Sequence, residues 1–217
     1  FLNKFYGVNG QLITADTLKL NNQGKQRHEW KEGFFKSYDD MDMRKREIFL
    51  DYYDENGNYS GTVLRKCLGT INAATSKRVF SDDYVVYRYA DVLLMMAEIA
   101  NMEGGDVASF LNQVRKRAYG DNYDESVHGY TNGTFEKNEL AILHERDKEF
   151  VWEGKRWYDI RRMWDAGYEP LVFSSEANYD TSEPVIKESE SYKLLWPIDV
   201  ETLNKDPKLK NNPGYTK

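Results

Sequence analysis

Cysteine is almost missing from this chain. Cys67 stands alone among 217 residues. No internal disulfide framework is possible, and a small buried hydrophobe is the expected role of that side chain. Histidine is nearly as scarce, with His28, His128 and His144. His144-Glu145 opens like a zinc-protease helix, but Lys148 stands where the second imidazole would be, one turn on. The other two histidines have no ligand spacing, so no metal site is expected. No stretch reaches the roughly 20 apolar residues that span a bilayer, and no secretory signal pattern is present. The net charge is −6 without a basic block, which argues against nucleic acid as a partner. Phosphate-binding glycine loops, G-x-S-x-G and dinucleotide fingerprints are absent too, and no cofactor is expected. The sequons at Asn58 and Asn132 are too short and common to be informative.

What the chain does have is aromatic residues: 16 Tyr, 10 Phe and 5 Trp. Some must fill a core. Tyr and Trp beyond that need often line carbohydrate or protein contact surfaces. The most unusual stretch is Glu145–Trp164, ERDKEFVWEGKRWYDIRRMW. It mixes Arg146, Arg156, Arg161 and Arg162 with Glu145, Asp147, Glu149, Glu153 and Asp159, and threads Trp152, Trp157 and Trp164 among them. Paired charges partly buried beside aromatic rings are the expected arrangement, with Arg able to stack on Trp. The carboxylates Glu145, Glu149 and Glu153 recur at i, i+4 and i+8. A glycosidase also needs two carboxylates, but interleaved cations hold these ionised, and a general acid needs a raised pKa. Arg146, Glu149, Glu153, Arg156 and Asp159 are therefore expected to form a structural ion-pair lattice.

Residues 1–80 carry turn signals at Asn9-Gly10, Asn21-Asn22, Gln23-Gly24 and Asn56-Gly57. Asn56-Gly57, between Tyr52-Tyr53 and Tyr59, predicts a β-hairpin tip. Little helix is expected there beyond a short piece near 12–20 or 39–46. From Tyr84 the period becomes 3.6, and Val85, Tyr89, Val92, Leu93, Met96, Ile99 and Ala100 share a helical face. Ser81, Asp82 and Asp83 are candidate caps for that helix, and Gly104-Gly105 ends it. Asp106 can cap the next helix, where Val107, Phe110, Leu111, Val114 and Ala118 align. The pair makes an αα-hairpin of the kind that builds tetratricopeptide solenoids. A loop from Tyr119 to about Thr134 leads to a helix over 135–152, with Leu140, Leu143, Phe150 and Val151 inward. Gly154 breaks it, and a shorter helix covers 155–164. All five prolines lie beyond residue 168. That irregular tail still carries Leu194, Leu195, Trp196 and Ile198, and is expected to pack on the body.

The blocks Arg88–Glu98 (RYADVLLMMAE), LNQVRKRA, ERDKEFVWEGKRWYDIRR, LLWPI and NNPGY occur in that order over residues 88–215. In this they resemble the C-terminal part of SusD/RagB-type nutrient-binding lipoproteins. Asp42-Met43-Arg44 is also similar to an upstream D-x-R element of that family. The resemblance implies extracellular capture of a glycan (an oligosaccharide or polysaccharide) or a similar nutrient such as a peptide-bearing one, and its delivery to a SusC/RagA-type TonB-dependent transporter. It also implies an outer-membrane location through an N-terminal lipid, and a longer helical N-terminal region. The chain opens at Phe1, in amphipathic sequence, and is expected to be a portion of such a protein.

The expected fold is mainly α: two tetratricopeptide-like helical hairpins with long irregular loops, an irregular C-terminal tail and minor β-hairpin content. Residues 1–80 are expected to form a loop-rich aromatic subdomain, and 81–217 the helical region with its packed tail. Solenoid repeats bury their faces against neighbours, so an apolar face including part of Val92–Ala100 is expected to stay open. The aromatic loops supply the binding candidates Trp30, Phe34, Tyr38, Tyr123 and Tyr130, because rings beside Asn, Asp, Arg or Lys offer both a stacking face and hydrogen bonds to a sugar. No catalytic residue is assigned. The alternatives are a glycoside hydrolase using carboxylates such as Glu29, Asp40 or Asp124, and a helical scaffold with no small ligand.

Overall fold

The structure is a computed structural model that describes residues 32–53, 56–66, 69–166, 173–179 and 183–216. In chain order it contains α1 (Glu32–Lys36), α2 (Met43–Ile48), β1 (Phe49–Tyr53), β2 (Tyr59–Leu64), β3 (Thr70–Asn72) and β4 (Lys77–Val79). The helices α3 (Tyr89–Met102), α4 (Val107–Tyr119), α5 (Glu125–His128), α6 (Phe135–Glu149), α7 (Arg156–Asp165) and α8 (Val200–Lys205) follow. The fold is mainly α. Among the described residues the strands form two antiparallel pairs, β1 with β2 and β3 with β4. The predicted hairpin is the first of these, and Gly57 in its turn takes φ +81°. The second hairpin carries no strong turn dipeptide in the sequence. Of the two short helices expected near the start, α2 overlaps 39–46, while 12–20 lies outside the described residues.

Helix boundaries follow from capping chemistry. Asp42 accepts from the Arg44 amide, Asp106 from Ser109 and Thr134 from Lys137, each satisfying an orphan N–H of a first turn. Gly104, at φ +68°, turns the chain between α3 and α4. α6 stops at Glu149, three residues earlier than its periodicity predicts. Trp152 and Gly154 both take positive φ, 64° and 72°, so the break spans several residues rather than Gly154 alone. The start of α3 also differs from expectation. Ser81, Asp82 and Asp83 lie upstream of the helix, and Asp82 instead accepts from the Gly69 amide at 2.6 Å. Arg88 occupies the cap position and makes no capping bond, because a guanidinium has no acceptor for a first-turn N–H; it pairs instead with Glu149 and Glu153.

α6 is the hub of the molecule. Ile142 and Phe150 close a core with Ala90, Leu93, Leu94 and Ala97 of α3 and Val107, Leu111 and Val114 of α4. Leu143 packs on Ile160 and Met163 of α7 and on Ala177, Ile186 and Leu194 of the tail. Val151, just past the helix, joins Tyr38, Ile48, Phe49 and Leu64. Leu94 and Leu111 are fully enclosed, and truncating either to Ala is expected to cost about 2–5 kcal/mol.

The face shared by Tyr89, Val92, Met96 and Ile99 is the open side of α3, with Val92 45 % and Ile99 47 % exposed. The core side is the narrower stripe built on Ala90, Leu94 and Ala97. The tail is anchored by Leu194, whereas Leu195 and Trp196 are exposed, Trp196 at 71 %. Their backbone explains the arrangement. Asn212 donates to the Trp196 carbonyl at 2.6 Å, Tyr215 to Leu195 at 2.9 Å, and Asn211 accepts from the Ile198 amide at 2.8 Å. The NNPGY block thus staples LLWPI by hydrogen bonds more than by apolar burial.

Candidate functional site

The last turns of α6 carry the densest chemistry. Arg44, positioned by its own cap residue, donates to Asp42 at 2.7 and 2.9 Å, to Glu145 at 2.7 Å and to Glu149 at 3.0 Å. Arg115 of α4 holds the other Glu145 oxygen at 3.0 Å. Glu149 is also paired with Arg88 and Arg117, and Glu153 with Arg88 and Lys66. Arg146 bridges Asp159 at 2.9 Å and Asp91 at 3.3 Å. Burial pushes the Glu145 and Glu149 carboxyls up, but the surrounding arginines outweigh it and hold both below the ordinary carboxylate range.

All five lattice residues lie in ion pairs, but mostly with partners other than one another. Arg146–Asp159 is the one direct pair in that set among the described residues. Arg156 pairs with Asp147 at 2.5 Å and donates to the Ala177 carbonyl, tying α7 to the tail. Phe150 is the ring that two of these arginines cover, Arg88 at 4.6 Å and Arg146 at 4.9 Å. Trp157 and Trp164 instead contact other rings, Trp157 against Trp196 and Trp164 against Phe173.

Beside this lattice a cleft of about 150 Å³ opens among Asp39, Arg44, Arg115, Tyr119, Val127, His128, Glu145 and Lys148. Four elements build it. α6 presents Glu145 and Lys148 one turn apart, α2 brings Arg44, α4 brings Arg115 and Tyr119, and α5 brings His128. The His128 ring stacks on Tyr119 at 4.1 Å and 21°. Its Nδ1 accepts from the Asp124 amide at 2.9 Å, which leaves the proton of the neutral ring on Nε2. Burial, aided by Asp42, raises the Tyr119 hydroxyl to about 12, so it stays a neutral donor and acceptor. Lys148 differs from its neighbours. Its ammonium lies 5.6 Å from the Tyr38 ring centre and makes no ion pair among the described residues. Burial lowers its pKa.

The aromatic candidates fall around this cleft in different ways. Tyr38 is buried behind Lys148 and donates to the Lys148 carbonyl at 2.8 Å, so its ring is enclosed by protein. Phe34 is half-buried against Tyr38 and Tyr179, at 5.5 and 5.0 Å. Tyr123 borders the stack, 6.1 Å from His128 and 6.4 Å from Tyr119. Tyr130 lies under Arg115 at 5.6 Å and donates to Asn138 at 2.7 Å. Trp30 lies outside the described residues. Arg115, His128 and Lys148 are not among the sequence candidates, and Tyr119 enters there only as the first ring of the aromatic loop. In the sequence Lys148 stands out as the residue that spoils a zinc motif and as one of the cations interleaved with the carboxylate stripe, and His128 only as a histidine without ligand spacing. Their convergence depends on α4, α5 and α6 packing together, which no local pattern reports.

Comparison with known proteins agrees with this architecture. The SusD family profile matches residues 3–215. A SusD superfamily protein of Bacteroides fragilis superposes with a TM-score of 0.84 at 44% identity, over 99% of this chain and 46% of that one. SusD-like protein P2 of Formosa agariphila is 28% identical over 83% of this chain and 32% of its own length. The starch-binding protein SusD of Bacteroides thetaiotaomicron is 27% identical over 61% of this chain and 22% of its own length. The chain spans less than half the length of these relatives. It belongs to the SusD family.

Proposed function

We propose that this chain is part of a cell-surface protein that binds a glycan and passes it to a SusC/RagA-type TonB-dependent transporter without altering it. Attachment to the outer membrane through an N-terminal lipid, facing outward, is part of the same reading. No helix of the described residues is long and apolar enough to cross a membrane. Family membership and the name of the starch-binding relative support glycan capture. The observation that carries it for these residues is the cleft beside α6. It gathers the Tyr119–His128 stack, the nearby Tyr123 ring and the donors of Lys148 and Arg115 at one small concave surface. Ring faces next to charged and hydroxyl donors are what a sugar's C–H patches and hydroxyls require.

Of the carboxylates a hydrolase would use, Glu29 lies outside the described residues, and Asp40 and Asp124 fit that alternative poorly. Asp40 is exposed and held below its ordinary pKa by Lys45, and Asp124 is exposed and held low by its bonds from Ser126. Neither is placed to keep a proton as a general acid. Calorimetry of the protein against a panel of neutral and charged oligosaccharides tests the proposal, with reducing-end release measured in parallel. Saturable binding without release is expected. Release abolished by a single Asp or Glu substitution would replace this reading with an enzymatic one.

A further inference from the structure

We infer that the cleft takes an acidic glycan, with Lys148 as the residue that selects the anionic substituent, a carboxylate or a sulfate ester. The inference rests on the glycan-binding reading and adds the ligand's charge to it. Three cations and two carboxylates line the cleft, and their pairing is uneven. Glu145 is shared by Arg44 and Arg115, one on each oxygen. Arg44 also has Asp42 and Glu149 as partners. Asp39 is exposed at the mouth and accepts from the Met41 amide at 2.7 Å. That leaves Lys148 as the cation whose ammonium meets a ring instead of a carboxylate, 5.6 Å from the centre of Tyr38.

The chemistry of such a group is specific. A partly buried ammonium that meets no carboxylate among the described residues has lost hydration that none of them restores. An anion entering the cleft supplies the missing partner and forms a charge-assisted hydrogen bond. His128 adds a second donor, because the Asp124 amide already occupies Nδ1 and the neutral ring's proton is on Nε2. A neutral sugar would use the ring stack but leave Lys148 unpaired. Asp39 opposes the same ligand from the mouth, so the two residues make opposite predictions.

The test is calorimetry at low salt with trigalacturonate, a sulfated galactose trisaccharide and neutral galactotriose. One of the two anionic probes is expected to bind at least roughly fivefold more tightly than galactotriose, about the worth of one ion pair. The tighter of the two identifies the substituent. Lys148→Gln should abolish that preference by weakening the anionic probe more than galactotriose, Lys148→Arg should retain most of it, and Asp39→Asn should enlarge it. Melting curves establish that each variant is folded. A preference that survives in folded Lys148→Gln, or equal affinity for charged and neutral probes in the parent, overturns the inference. Sodium sulfate titrated into labelled protein separates it from the glycan reading. Lys148-dependent shifts at residues 128 and 148, with no trisaccharide bound, would support an anion site while removing the glycan. No sulfate response together with no anionic preference would remove the anion site itself.

Discussion

The two ends of α6 solve the same problem in opposite ways. Both bury carboxylates. At the C-terminal end, Glu145 and Glu149 are surrounded by Arg44, Arg88, Arg115 and Arg117 and stay ionised. At the N-terminal end, Glu139 is 2 % exposed and accepts from the Asn101 amide at 2.7 Å. Burial there raises its carboxyl to about 7, and Arg162 lowers it too little to reverse that. Asn138 extends that neutral network, donating to Asn101 at 2.8 Å and accepting from Tyr130 and the Gly133 amide. One helix thus holds an ionic half that joins four elements and an amide half that fixes a loop. The ionic half offers strong but costly pairs, and the amide half offers weaker bonds with a smaller desolvation penalty.

The largest expected effect comes from removing one arginine of the ionic half. Arg44→Ala leaves Asp42 without its cation and takes a partner from both Glu145 and Glu149. A destabilisation of about 3–5 kcal/mol is expected. Arg146→Ala should fall at the lower end of that range, because Lys155 and Arg162 still reach Asp91 and Asp159. Denaturant melts of the two variants check this. If Arg44→Ala melts within about 0.5 kcal/mol of the parent, the size of an ordinary surface substitution, the lattice is ornamental and the contrast collapses.

The pH dependence separates the halves by sign. The folded pKa of Glu139, about 7, lies above its ordinary 4.5. Between those values the folded chain holds a proton that the unfolded chain has released, so stability falls as pH rises through the window. Residual solvent screening limits the loss to the order of 2 kcal/mol. Asp147, raised by burial to about 6, adds a smaller slope of the same sign. Glu145 and Glu149 do the reverse. Their folded pKa values are lowered, so their stabilisation is present above the ordinary range and lost as pH falls through the lowered values. Glu139→Gln keeps an acceptor for Asn101 and should flatten the slope between about pH 5 and 7 while leaving the acid limb in place. An unchanged slope in that variant would assign the titration to another group.

The ionic half was legible in the sequence and the amide half was not. Six arginines and lysines interleaved with five acids over ERDKEFVWEGKRWYDIRR announce pairing, but not the partners. Arg44, Arg88, Asp91 and Arg115 reach α6 from α2, from the segment before α3 and from α3 and α4, at separations that no local pattern spans. Asn101, Asn138 and Glu139 look like ordinary surface residues in sequence, and only packing makes them interior. The same limit explains α3. Its periodicity marks Tyr89, Val92, Met96 and Ile99 because those side chains are large, whereas close helix contact selects the small Ala90 and Ala97. A helix apolar on two sides gives no local sign of which side packs. The cleft was legible only as aromatic loops near α4 and α5; its cations became visible when the helices were assembled.

The smallest predicted effect measures the amide half directly. Tyr130→Phe keeps the ring under Arg115 and deletes only the hydroxyl that donates to Asn138 at 2.7 Å. Asn138 keeps the Gly133 amide as a donor to the same oxygen, at 2.8 Å, so no buried acceptor is left bare. The expected cost is therefore that of one neutral hydrogen bond, about 0.5–1.5 kcal/mol, several-fold less than Arg44→Ala. The loop backbone should hold, because Asn112 still binds the Tyr130 amide and carbonyl at 2.7 and 3.0 Å. Glycan affinity should be unchanged in Tyr130→Phe if the ring alone meets ligand, and weakened if the hydroxyl does. Calorimetry and a denaturant melt on the same sample read both quantities. A loss above about 3 kcal/mol, the range of a broken buried ion pair, would mean that Tyr130 anchors the amide network as firmly as the arginines anchor the other end, and the contrast between the two halves of α6 would fail.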